Sequence, residues 1–112
     1  MRREYLGQAG HFIASNRCLF HLHTHVNGYC VSTVGEYFVR SEDTAPTTIG
    51  PERLYETMVF VLDAAGEPDY WDNVDFGAYN DRDAASRGHA LMVCKMEEAS
   101  PAGQRQSKAR DE

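Results

Sequence analysis

The chain reads as a small α+β domain, with an antiparallel sheet of three to five strands and a C-terminal helix packed on one face. Three observations predict this. Asn27-Gly28 separates two runs of β-forming residues, CLFHLHTHV and YCVSTVGEYFV. A third run, YETMVFVL at 55–62, is apolar on both of its faces. The segment 81–98 carries small and apolar residues at helical spacing behind a polar start. A length of 112 residues limits the chain to one domain, with a core of modest size. Residues 1–98 form that domain, and 99–112 read as a disordered tail.

Met1 to Asn16 is the least patterned stretch. Gly7 and Gly10 interrupt any helix, so a turn and then a brief strand at His11 to Ala14 are expected. His11, beside apolar residues, reads as structural. The hairpin follows. Both Asn and Gly tolerate the positive φ of a tight two-residue turn, which sets the register. Val26 then faces Tyr29, His25 faces Cys30, Thr24 faces Val31, His23 faces Ser32, His21 faces Val34 and Leu19 faces Glu36. Alternation puts Leu19, His21, His23, His25, Cys30, Ser32, Val34 and Glu36 on one face. Cys18, Phe20, Leu22, Thr24, Val26, Tyr29, Val31, Thr33 and Tyr37 lie on the other, which is the better core face.

Arg40 to Pro51 is a loop, punctuated by Pro46, Gly50 and Pro51. Tyr55 to Leu62 reads as a central strand covered on both sides. Ala64 to Pro68 is a turn. Asp69 to Tyr79 reads as a short strand or an irregular segment. Asn80 is the expected N-cap, with Asp81 and Asp83 in the first helical turn. The helix presents Ala84, Ala85, Gly88, Leu91, Met92 and Met96 as one stripe. Gly88 suggests close approach to the sheet, and His89 beside it reads as packed.

Two constellations carry chemistry. The alternating His21, His23 and His25, with Cys30 opposite His25, could aim imidazoles and a thiolate at one zinc ion. The plainer account is a solvated sheet face. No HExxH motif, paired CxxC, phosphate-binding glycine loop or nucleophile elbow is present. The second constellation is acidic and aromatic: Asp69, Tyr70, Trp71, Asp72, Asp75 and Phe76. Trp and Tyr dominate the energetic centres of protein interfaces, and the acids favour a basic partner. The alternative is that the aromatics are core and the acids a solvated rim.

The formal charge of −6 argues against direct binding to a nucleic-acid backbone. The chain has no apolar run of membrane-spanning length, and MRREYLGQAG lacks the apolar segment of a signal peptide. A cytoplasmic setting with reduced thiols is expected, which fits three cysteines without a disulfide spacing.

The strings Gly10-His11-Phe12-Ile13, Val31-Ser32-Thr33-Val34-Gly35-Glu36-Tyr37, Tyr55-Glu56-Thr57-Met58-Val59-Phe60 and Gly88-His89 add a resemblance. Across roughly the first hundred residues the chain is similar to small proteins encoded by bacteriophages, prophages and plasmids. That family has no established activity, so no catalytic residue is carried over. The resemblance implies a non-enzymatic mobile-element accessory protein that binds a host protein, such as a nucleic-acid-binding defence effector. A metal-binding protein or metal-dependent hydrolase on the strand histidines is the first alternative. A phage structural or assembly component is the second.

Overall fold

The computed structural model describes His11 and residues 17–40, 42–49 and 52–101, without the side chains of Tyr70 and Trp71. Among the described residues four strands form one antiparallel sheet in the order β1-β2-β3-β4: Cys18–Val26, Tyr29–Tyr37, Tyr55–Leu62 and Pro68–Tyr79. A helix, α1, Arg82–Glu98, lies across one face. The fold is the small α+β arrangement expected. Of the brief strand expected at His11 to Ala14, only His11 is described, and its backbone is helical rather than extended.

The hairpin register is the one the turn dictates. Val26 pairs with Tyr29, His25 with Cys30, His23 with Ser32 and His21 with Val34. Asn27 and Gly28 supply the two positive φ values of the turn, 57° and 84°. β3 is buried from Tyr55 to Val61, as a central strand should be. β4 is a strand throughout, but its pairing with β3 shifts at Val59/Phe60 and again at Phe60/Leu62. Those bulges explain why Asp69 to Tyr79 lacks clean alternation.

The helix packs on the face expected to be core. Tyr29, Val31, Val59, Val61 and Met96 form one cluster, and Phe20, Tyr55 and Ala85 a second. The helical stripe differs from expectation. Ala85, His89 and Met96 are its buried positions, and Leu91 is 70% exposed. His89 takes a core place because it reaches threonines of the sheet. Gly88 is the close approach expected, since a Cβ there would strike the Tyr79 ring.

The N-cap also moves by one residue. Asp81 caps the helix, its carboxylate accepting from the Ala84 N–H at 2.8 Å. Asn80 instead donates to the Glu52 carbonyl and accepts from the Leu54 N–H, tying the strand end to the segment before β3. The fold extends past residue 98. Asn27 donates to the carbonyls of Met96 and Ala99, and the Tyr29 hydroxyl donates to the Ser100 carbonyl. Positions 99 and 100 are therefore held by the hairpin turn; residues 102–112 lie outside the described set. No helix among the described residues is long and apolar enough to cross a membrane.

Candidate functional site

The face away from the helix holds most of the polar side chains that could do chemistry. Three rows cross it: His25-Cys30-Phe60-Asn73, His23-Ser32-Met58-Phe76 and His21-Val34-Glu56-Ala78. Cys30, Met58 and Phe60 are buried there, and His11 packs edge-on to Phe60. The His11 ring bridges two strands. Its Nε2 lies 2.8 Å from the Ser32 hydroxyl, and its Nδ1 lies 2.7 Å from the Glu56 carboxylate. The other Glu56 oxygen accepts from Arg53 at 3.0 Å.

Hydroxyl, imidazole and carboxylate in this order are the connectivity of a serine nucleophile with its base and orienting acid. The surroundings refuse that chemistry. Ser32 is wholly buried, and His11 and Glu56 are 2% and 4% exposed. Ser32 sits in mid-strand, with Met58 as its neighbour on β3. An acyl-transfer centre needs an approach to the hydroxyl and free N–H donors beside it. Burial closes that approach to Ser32, and these residues form a clasp that satisfies a buried acid.

A second buried histidine mirrors the first through the sheet. His89 Nδ1 is 2.7 Å from the Thr33 hydroxyl, and its Nε2 is 2.9 Å from the Thr24 hydroxyl. Thr33 also meets Thr57 at 2.6 Å. Burial holds the His89 imidazole below its ordinary basicity, so its neutral form is the one packed. The expectation that His89 is a packing residue agrees with this.

His21, His23 and His25 are all exposed on edge strand β1, and the rings of His21 and His23 meet edge-to-face at 4.2 Å. Desolvation pushes His23 down to about 4, with His21 the next cause. Cys30 is fully buried, and burial pushes its thiol up to about 11. A cysteine binds zinc as its thiolate, and full burial disfavours that form. Among the described residues no three His, Cys, Asp or Glu side chains are grouped to hold a metal ion. The set His21, His23, His25 and Cys30 therefore does not fit a zinc centre within one chain.

The acidic-aromatic segment is the outer strand β4. Phe76 is 42% exposed on the face away from the helix, and the Arg53 guanidinium stands 4.8 Å from its ring centre. Asp75 points the other way and is engaged by Lys95 of the helix and by the Phe76 N–H. The lysine holds its carboxyl below the usual carboxylate range against the opposing effect of burial. Asp69 and Asp72 are half-buried along the same strand. The side chains of Tyr70 and Trp71 lie outside the described set.

One further polar cluster escaped sequence reasoning. Arg82 donates two bonds of 2.8 Å to Glu36, and the Tyr55 hydroxyl donates a third at 2.6 Å. Glu36 has a φ of 59°, and these donors hold it in that left-handed conformation. The signal for the His11 clasp was available: Glu56 is an acid in an otherwise apolar central strand and needed a buried partner. Comparison of the chain with protein-family models, with curated proteins and with solved structures gives no match.

Proposed function

We propose that this chain is a non-enzymatic accessory protein of a phage or other mobile element, acting in the cytoplasm of a bacterial host by binding a host protein. The observation that carries the reading is the composition of β4. Among the described residues it is an outer strand bearing half-buried Asp69 and Asp72, and it exposes Phe76 further along. An outer strand also offers unpaired backbone groups to an incoming chain. Tyr70 and Trp71 belong to the same strand and would add aromatic anchors.

The chemistry favours a basic partner. The chain's charge of −6 steers it towards cationic surfaces, such as those with which defence effectors hold nucleic acid. Asp75 of the same strand is paired with Lys95 of the helix. The burial of Ser32, His11 and Glu56 is the argument against an enzyme.

The test is capture from host lysate on the immobilised full chain. A partner is expected that is retained by the natural chain and lost on both Asp69→Lys/Asp72→Lys and Phe76→Ala. Every specific partner surviving both variants would exclude β4 as the interface.

A further inference from the structure

We propose that the groove between the end of β4 and the helix binds an amphipathic anion, a medium-chain alkyl carboxylate, with Arg87 taking the carboxylate. This site does not rest on the partner-binding reading.

The groove follows from the order of residues on the helix. Ala84, Gly88 and Met92 recur every four residues and form one ridge; Arg87, Leu91 and Lys95 form the next. The first ridge begins with two small residues, and Tyr79 at the end of β4 takes the space beside them. Its ring comes so close to Gly88 that a Cβ there would strike it. These residues enclose a groove of about 420 Å³. Small-molecule sites usually measure about 300–1,000 Å³. Every residue lining this one lies in the described set.

The lining is apolar and anchored from below. Tyr79 packs against the cluster of Phe20, Tyr55 and Ala85, and Met92 against the cluster that holds Tyr29, Val31 and Met96. The floor is therefore in place before a ligand arrives. Leu91 belongs to the same groove, yet it is 70% exposed. An alkyl chain laid in the groove would cover it. Ala84 to Lys95 spans about 16 Å of helix, enough for a chain of about eight carbons.

Two cations border the groove in a chain whose charge is −6. They are not equivalent. Lys95 is engaged by Asp75 of β4, which draws its ammonium aside and leaves its stem as apolar lining. Arg87 is exposed and has no ion pair among the described residues, not even with Asp83 one turn earlier. A guanidinium offers a carboxylate two parallel N–H donors. An apolar groove with one unpaired guanidinium selects an anionic head that carries an apolar tail.

The experiment is an NMR titration of the full chain with octanoate, with octanol and acetate as controls. Octanoate is expected to bind one per chain with a Kd below about 1 mM, moving the amide signals of Gly88, Leu91 and Met92. Octanol lacks the charge and acetate lacks the tail, so each should bind at least about tenfold more weakly. A buried methylene tightens binding by up to about fourfold, so hexanoate should be at least about threefold weaker than octanoate. Arg87→Gln should weaken octanoate about tenfold, whereas Lys95→Met should bind it as the natural chain does. Circular dichroism matching the natural chain shows that these exposed substitutions leave the fold intact. Octanoate without effect, signals moving only on another surface, octanol binding as tightly as octanoate, or full affinity in Arg87→Gln overturns the proposal. Loss of octanoate binding in a folded Lys95→Met overturns it as well, because the carboxylate is assigned to Arg87.

Discussion

Gly35 shows how a single position can be set by its neighbour across the sheet. It pairs with Tyr55, and the Tyr55 ring lies over it so closely that an added Cβ would overlap the inner atoms of the ring. Tyr55 cannot yield easily. It is 6% exposed, it packs edge-on to Phe20 at 5.4 Å, and its hydroxyl is bonded to Glu36. Gly35→Ala should therefore destabilise the chain by about 1–3 kcal/mol, the usual range for overpacking a tight site. Chemical denaturation of the two proteins checks this, and equal midpoints would show that the ring moves aside. Ser32 allows a complementary test. Ser32→Ala deletes only the hydroxyl and leaves the buried Nε2 of His11 without that bond. A loss of about 1–3 kcal/mol follows if the clasp is structural, again read from the denaturation midpoint.

At the scale of elements, the hairpin and the helix were legible for different reasons. Asn27-Gly28 specifies a turn, the turn specifies a register, and the register assigns faces, so local chemistry carries the whole β1–β2 pairing. The helix was legible in extent but not in phase. Apolar spacing favours Leu91 as core, yet the sheet beneath offers Thr24 and Thr33 and selects His89. The β4 bulges and the left-handed Glu36 were not legible, because each depends on distant residues: β3 for the first, Arg82 and Tyr55 for the second. The candidate site followed the same division. The histidine face could be read from alternation, but the burial of Cys30 and the placement of His11 over Ser32 are tertiary facts. The cap offers a prediction at this scale. Asp81→Ala removes the acceptor for the Ala84 N–H and should cost about 1 kcal/mol. Asn80→Ala should also destabilise, but by releasing the Glu52 and Leu54 backbone. Peptide models of residues 80–98 separate the two, since only the Asp81 change should lower their helicity.

For the molecule as a whole, the sheet is a single layer with a buried histidine on each side, and this bears on its response to acid. His89 is held neutral by burial, below its ordinary value of 6.5. A group depressed on folding takes up its proton first in the unfolded chain, so the unfolded state gains as pH falls below about 6.5. Stability is full above that pH and declines until the folded chain also protonates. The charged groups do not reverse the trend. Glu36 and Asp75 are depressed by Arg82 and Lys95, so they too favour the fold above their unfolded values and weaken it only at lower pH. The melting temperature should therefore fall between pH 7.5 and pH 5, before the carboxylates titrate. His89→Gln keeps a polar side chain beside Thr24 and Thr33 but cannot protonate in this range. It should lower stability at pH 7.5 yet flatten the slope between pH 7.5 and 5. A slope unchanged by His89→Gln would move the acid sensitivity to His23, which partial burial also holds below its ordinary value.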